Sequence, residues 1–349
     1  MPVPAAALRP PAGRPSWSHL PEDTALSGTG QGHVTPGALW YVFPDMRATE
    51  VFEEHRPLLN GVAYRILGTA DDAEDVVQEA WLRWSRVDPD GIDNPRAYLV
   101  TVASRLSIDR LRKASAQRES YVGEWLPEPV SDLPDAAERA ELADSVEFAL
   151  LVVLETLSPL ERAVFVLHEA FQLPYTHIAR VIGRNEAATR QLARRARDHV
   201  RERRPRFEAD RAARRRITER FLRACAEGDL DGLKGLLAED ATLVSDGGGR
   251  TPAPLRVIRG ADKVGRFLAA VSRERNTSRF LRSLGLASAA PVHMEITGVN
   301  GGPAAVLSVE GVPITVLTLD VFEGRARHVY MVANPDKMSR LRAIGPSRT

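Results

Sequence analysis

The side chains of this 349-residue chain best suited to specific chemistry fall into three groups. The first is a dense run of guanidinium and carboxamide groups, Arg190, Gln191, Arg194, Arg195 and Arg197. Forked arginine donors match the acceptor edge of guanine, and a glutamine carboxamide matches adenine. The second is Arg105, Asp109, Arg112 and Lys113, spaced to share roughly one face of a helix. Such a set suits phosphates together with a polar base edge. The third is a scatter of polar residues near the C-terminus: Asp246, His293, Asp320 and His328. An Asp/His pair can do general acid–base work. These four lack a catalytic spacing, and a lone His on a strand is more often structural, so no catalytic residue is expected. No metal site and no cofactor are expected either.

The net charge of +1, from 47 basic and 46 acidic residues, says little about partners. Its distribution says more. Arg184 to Arg216 holds 13 Arg against 5 Asp/Glu, a net +8, whereas Ser131 to Glu161 holds 8 Asp/Glu against 1 Arg, a net −7. That asymmetry points to a nucleic-acid face in one region and an acidic segment in another. Cys225 is the only cysteine, so no intramolecular disulfide forms. No apolar run approaches the ~18 residues of a membrane span. The N-terminus carries Pro and Arg where a secretory leader needs an apolar core. A cytoplasmic protein is expected.

The elements that must position these groups follow from periodicity. Residues 1–46, rich in Pro, Gly, Ser and Thr, read as disordered. Met46 precedes the first helical pattern, which makes the extension a candidate start-site artefact. Phe52, Leu58, Leu59, Val62, Ala63, Ile66 and Leu67 recur at helical spacing up to Gly68. Thr69 then caps a second helix, with Asp71 and Asp72 in its first turn. Its apolar stripe is Ala73, Val76, Val77, Ala80, Trp81 and Trp84, which leaves Asp75, Gln78 and Glu79 outside. A third helix runs from Pro95 to Lys113. Residues 115–143 form a linker holding Trp125-Leu126-Pro127-Glu128-Pro129. Residues 144–204 are again helical, and 205–216 are a charged linker. From 217 to 338 one helical stretch gives way to alternating strands such as 313–322 and 326–332, an α+β domain. Residues 339–349 form a tail.

The sharpest local signal spans Pro174 to Val200. Ala179 is small, as a helix crossing requires, and Gly183 supplies the turn four residues later. Asn185 caps the next helix, with Glu186 in its first turn. Ile178, Ile182 and Leu192 face inward, leaving the arginine and glutamine face outward. This is a helix-turn-helix that would enter a major groove. An ordinary helical hairpin with a solvated basic face is the plainer alternative, and Arg184 stands where an apolar residue is common.

With both helical blocks read, Asp72-Ala-Glu-Asp-Val-Val-Gln-Glu-Ala-Trp-Leu-Arg83 resembles the polymerase-binding helix of extracytoplasmic function (ECF) sigma factors. Asn94 to Lys113 resembles their −10 promoter helix, and the helix-turn-helix their −35-binding domain. The remainder resembles the SigJ-like subgroup, which carries a C-terminal SnoaL-like cone domain. Three motifs carry that match: Trp125-Leu126-Pro127-Glu128-Pro129, Asp246-Gly247-Gly248-Gly249-Arg250 and Asn334-Pro335-Asp336-Lys337-Met338. Arg250 stands where the subgroup has Lys, and Met338 where Leu or Phe is frequent.

The resemblance implies two all-α sigma domains, at 47–114 and 144–204, followed by the α+β cone. It implies two partners, core RNA polymerase and promoter DNA, with contacts on the clamp of the largest subunit and the flap of the second largest. Asp75, Gln78 and Glu79 would meet the clamp. Arg105, Asp109, Arg112 and Lys113 would serve the −10 element, and Arg190, Gln191, Arg194, Arg195 and Arg197 the −35 element. Arg197, Arg201, Arg203 and Arg204 suit phosphates. Trp81, Trp84 and Tyr98 are expected in the core rather than stacked on bases. The triglycine is expected to form a flexible loop. Together with Asn334–Lys337 and the Trp125 motif, it would dock the cone against the linker. No membrane and no separate anti-sigma partner are implied. Two alternatives remain: a one-component regulator with a ligand-sensing cone, and a SnoaL-like isomerase or cyclase with a DNA-binding appendage.

Overall fold

The computed structural model describes residues 44–118, 120–132, 147–203 and 211–341. The expected disorder of residues 1–46 falls almost wholly outside these, as do residues 133–146, 204–210 and the tail beyond 341.

Helix α1 (Pro44–Leu67) buries Phe52, Leu59, Val62, Ala63, Ile66 and Leu67. Gly68 ends it at φ +80, where its N–H returns to the Tyr64 carbonyl at 2.7 Å. Helix α2 (Ala70–Trp84) buries Ala73, Val76, Val77, Ala80 and Trp84 of the expected stripe, while Trp81 is half-buried. Thr69 stands at the N-cap position but does not cap through its hydroxyl, which instead donates to Asp72 at 2.6 Å. The first-turn N–H of Ala70 goes to the Glu128 carboxylate at 2.7 Å, a long-range cap supplied by the linker. Helix α3 (Pro95–Arg118) runs five residues past the expected end at Lys113. Arg118 accounts for the extension: it donates to the Leu67 carbonyl at 3.0 Å and pairs with Glu155.

The second block comprises α4 (Phe148–Leu154), α5 (Pro159–Phe165), α6 (Tyr175–Ile182) and α7 (Glu186–Arg203). Ser158 and Glu161 form a reciprocal capping box at the start of α5. Gly183 stands in the left-handed region at φ +65 and turns α6 into α7, as its position in the motif requires. The Asn185 side chain accepts the Ala188 N–H at 2.8 Å, as expected of a cap. Both blocks share a single hydrophobic core, in which Leu99, Val100 and Ala103 join Ile178, Val181, Ala193 and Ala196.

The third part opens with α8 (Arg211–Glu227), whose first turns include residues expected in a charged linker. It continues through α9 (Leu230–Leu236), β1 (Leu237–Asp246), β2 (Ile258–Arg259), α10 (Ala261–Val271) and α11 (Glu274–Ser283). The strands β3 (Val292–Val299), β4 (Gly302–Val309), β5 (Val312–Phe322) and β6 (Arg325–Val332) complete it. The sheet order is β2-β1-β6-β5-β4-β3, with only the β1–β6 pair parallel.

Alternation along the strands gives the sheet two apolar faces. Leu243, Ala305, Leu317 and Val329 pack on Phe221, Leu233 and Val264 of the helices. The opposite face, with Val306, Val316, Tyr330 and Val332, packs on Leu126 of the linker, Phe148 of α4, Met338 and Leu341. Burying Leu126 or Phe148 there contributes ~1.5–3 kcal/mol each. The sigma-like part and the sheet are thus joined through an apolar face, and the expected tail is ordered at least to Leu341.

Candidate functional site

Helix α2 presents Asp75, Gln78 and Glu79 to solvent, as its periodicity requires. The carboxylates are nonetheless engaged. Arg110 of α3 holds Asp72 at 2.7 Å and Asp75 at 2.5 Å, and Arg83 holds Glu79 at 2.8 Å. Arg340, from the C-terminal end, holds Asp71 at 2.7 Å and Glu74 at 2.6 Å. Every carboxylate of α2 therefore has a cation of its own chain, and of the three expected contact residues only Gln78 carries no formal charge to neutralise.

On α3, Asp109, Arg112 and Lys113 are exposed, and Arg112 pairs with Asp109 at 3.1 Å. Arg105 is exposed too, but its guanidinium is engaged. Its Nε donates to the Val181 carbonyl at 3.2 Å and its terminal nitrogen to the Arg180 carbonyl at 2.7 Å. A cation on the last carbonyls of a helix is favourable. Thr101 of α3 also meets His177 of α6 at 3.1 Å. The α3 helix is thereby clamped to the first helix of the helix-turn-helix. Trp84 and Tyr98 lie in the core: the indole N–H of Trp84 donates to the Ala48 carbonyl, and the two rings stand 5.8 Å apart. Trp81 packs edge-on against Phe52.

On α7, Arg190, Gln191, Arg194 and Arg195 all face solvent, while Arg197 is half-buried on the flank beside Glu169. Arg194 is the freest, its side chain 82% exposed. Arg190 lies over the Tyr175 ring and bonds Glu186 at 3.1 Å, and Arg195 bonds Glu161 at 3.0 Å. Exposed pairs of this kind are worth ~0–1 kcal/mol and yield readily to a phosphate or base.

The three C-terminal motifs converge. Asp246, fully buried, accepts from Lys337 at 2.6 Å, the Tyr121 hydroxyl at 2.5 Å, the Leu126 N–H at 3.0 Å and the Gly248 N–H at 3.0 Å. Lys337 also donates to the Leu126 carbonyl and sits 3.1 Å from the centre of the Trp125 ring. Arg118 stacks on the same ring at 4.3 Å. Burial disfavours the Lys337 ammonium and pushes its pKa down to about 8, with Asp246 opposing. Pro127 and Pro129 are buried beside Glu128, whose main-chain N–H bonds the Gly68 carbonyl at 2.8 Å.

The triglycine is a bonded turn rather than a flexible loop. The Arg250 N–H returns to the Gly247 carbonyl at 2.9 Å. Gly248 stands at φ +59, where a Cβ would meet the Asn334 side chain at 2.5 Å, so any other residue is strained and must displace Asn334. Gly249 packs on Val122. The Asn334 side chain accepts from Asp336 at 3.0 Å and donates to the Tyr121 hydroxyl at 2.9 Å, Pro335 opening the turn between them. Arg250 reaches Asp336 at 3.1 Å in an exposed pair.

Four contributors escaped the sequence reading. Tyr121 bonds Asp246, and Tyr64 of α1 bonds the Glu128 carbonyl at 2.8 Å. Buried Asn300 donates to the Tyr64 hydroxyl at 2.6 Å and exchanges hydrogen bonds with Val130. Its φ of +50 and the following glycines mark a hairpin turn that was legible, although its tertiary role was not. Arg340 carried no local signal.

The polar residues suspected of lining a catalytic pocket do not converge. Asp246 belongs to the interdomain cluster, and His293 is exposed on the edge strand β3. Asp320 and His328 are register partners on β5 and β6, and His328 meets Thr242 at 2.8 Å. Burial lowers the His328 pKa, with Asp320 opposing. Burial also pushes the Cys225 thiol up to about 12, which leaves no thiolate nucleophile. Among the described residues no cluster is arranged for a metal ion, and no helix is long and apolar enough to cross a membrane.

Comparison with known proteins gives this arrangement its class. Sigma-70 region 2 matches residues 51–117, and Sigma-70, region 4 matches residues 147–200. Two helical blocks of these types, in this order, define a sigma factor of the sigma-70 class. Over 292 residues the chain is 40% identical to the ECF RNA polymerase sigma factor SigJ of Mycobacterium tuberculosis (strain ATCC 25618 / H37Rv), covering 82% of this chain and 92% of that protein. It is 35% identical to the probable ECF RNA polymerase sigma factor SigI of Mycobacterium tuberculosis (strain CDC 1551 / Oshkosh), covering 83% and 94%. The crystal structure of the Mycobacterium tuberculosis extracytoplasmic function sigma factor SigJ matches with a TM-score of 0.66 at 38% identity, over 85% of this chain and 99% of that one. The chain belongs to the ECF RNA polymerase sigma factors. Members of this family bind core RNA polymerase and promoter DNA, and they are not enzymes.

Proposed function

We propose that the conformation described is the resting form of the factor, in which the two sigma blocks are held against each other and its own C-terminal domain favours that closed pairing. The observation that carries this reading is Arg105, a −10 candidate whose guanidinium is spent on the carbonyls of Arg180 and Val181. The −10 and −35 elements are about 25 base pairs apart, roughly 85 Å at ~3.4 Å per step. A factor whose α3 and α6 touch cannot reach both, so promoter binding requires these helices to separate.

In the working form, Asp75, Gln78 and Glu79 meet the basic clamp of the largest polymerase subunit, and the second helical block meets the flap of the second largest. Arg105, Asp109, Arg112 and Lys113 serve the opened −10 element. Arg190, Gln191, Arg194 and Arg195 read the −35 element, and Arg197, Arg201 and Arg203 neutralise phosphates. The Asp246–Lys337–Trp125 cluster ties the cone to the linker between the two sigma blocks, which gives the cone control over their separation. A regulator within the chain removes the need for a separate anti-sigma protein. The cone acts as a regulatory module, in which the His328 ring is tied to Thr242 rather than left to act as an acid or base.

In vitro transcription with core polymerase tests this reading. Promoter-specific initiation by the full chain, altered by truncation after residue 203 and altered differently by truncation after residue 333, supports it. Full-length activity in both truncated forms contradicts the regulatory part. No promoter-specific product from any form contradicts the whole.

A further inference from the structure

We infer that Arg340 is an intramolecular competitor of the polymerase, occupying the acidic edge of α2 that a basic partner surface must take. The inference rests on the reading of α2 as the polymerase-binding helix and extends that surface to Asp71 and Glu74.

Three observations carry it. First, Arg340 is not a loose surface residue. Its neighbour Leu341 is buried in the sheet-face core, and the Ser339 hydroxyl bonds the Glu128 carboxylate at 3.2 Å. The other Glu128 oxygen accepts the first-turn N–H of α2. The segment that carries Arg340 is therefore fixed to the same carboxylate that starts the helix, which aims the guanidinium along its first turn. Second, the guanidinium bridges Asp71 and Glu74, both partly exposed, while only 21% of the arginine side chain is exposed. Third, the helix dipole cannot be what holds it, because a helix N-terminus repels a cation. The direct pairs are with Asp71 and Glu74, Glu128 adds a more distant attraction, and a denser array of cations can take the two exposed carboxylates over.

The position of Arg340 along the chain adds a coupling. It follows the Asn334–Lys337 turn by three residues, and that turn is bound to Asp246 and Trp125. Displacing Arg340 from α2 pulls on the segment that anchors the cone to the linker. Polymerase binding and release of the cone are thereby the same event seen from two ends.

The test is a binding titration of the full chain with core polymerase, for wild type, Arg340→Gln and Arg340→Lys. Arg340→Gln is expected to bind about three- to tenfold tighter, the range that release of partly exposed ion pairs supports. Arg340→Lys, which keeps the charge, is expected to stay within about twofold of wild type. Unchanged or weaker binding by Arg340→Gln overturns the inference while leaving the polymerase reading intact. Tightening by Arg340→Lys as large as that by Arg340→Gln also overturns it, because loss of charge would not be the cause. Absence of binding by every form overturns the polymerase reading, and this inference falls with it.

Discussion

Lys337 and Asp246 form a buried ion pair, Nζ to Oδ2 at 2.6 Å, with side chains 5% and 0% exposed. They lie 91 positions apart in sequence and close the joint between the cone and the linker. Removing one member of such a pair strands the other charge without solvent. Asp246→Asn is expected to destabilise the chain by ~3–5 kcal/mol in equilibrium denaturation. Asp246→Asn combined with Lys337→Met should recover part of that loss, because no charge then remains buried. A double variant less stable than the single one would contradict this.

The same pair makes a pH prediction. Burial lowers the pKa of Lys337 to about 8. Between pH 8 and the ordinary lysine value of 10.5, the unfolded chain holds a proton that the folded chain has released. The contribution of this group to stability therefore rises as pH rises through that window, and is at its lowest below it. An NMR titration of the Lys337 side chain, assigned with Lys337→Arg, should show a midpoint near 8. A midpoint near 10.5 would show that the ammonium is not desolvated.

Promoter recognition by α7 separates into two behaviours. Arg194→Ala should cost about 1–3 kcal/mol of discrimination at one −35 position and relax the sequence preference there. Arg201→Ala should weaken binding to all sequences alike and reduce the slope of log K against log salt by ~1. Binding measured on consensus and scrambled −35 duplexes at several salt concentrations distinguishes the two. Equal loss on both duplexes for Arg194→Ala would remove it from base readout.

Asn300 predicts a local rather than a global change. Asn300→Gly keeps the positive φ but deletes the side-chain bonds to Tyr64 and Val130. The Val130 amide loses its acceptor, and its hydrogen exchange should quicken by about 5–30-fold, corresponding to ~1–2 kcal/mol. Unchanged exchange at Val130 would mean the Asn300 side chain does not hold the linker amide.

The helix-turn-helix was legible because its determinants are local. Ala179, Gly183 and Asn185 act within one or two turns of their own position, and each does what its residue type allows. The α2 stripe was legible for the same reason. The capping of α2 was misread because its acceptor, Glu128, lies 58 residues away, and nothing near Thr69 announces it. Arg105 looked free because helical periodicity reports which face a residue occupies, not what packs on that face. The three C-terminal motifs could be grouped only by resemblance. Their actual chemistry, one aspartate shared by a lysine, a tyrosine and two main-chain amides, is purely tertiary.

The closed pairing of α3 with α6 must open for promoter binding. Labels at Arg96→Cys on α3 and Glu202→Cys at the end of α7, both exposed, in a Cys225→Ser background, report the separation by energy transfer. The free factor should give one short-distance population. With core polymerase and promoter DNA, the distance should lengthen toward the roughly 85 Å set by the spacing of the two promoter elements. An unchanged short distance in a complex that initiates transcription would contradict the account.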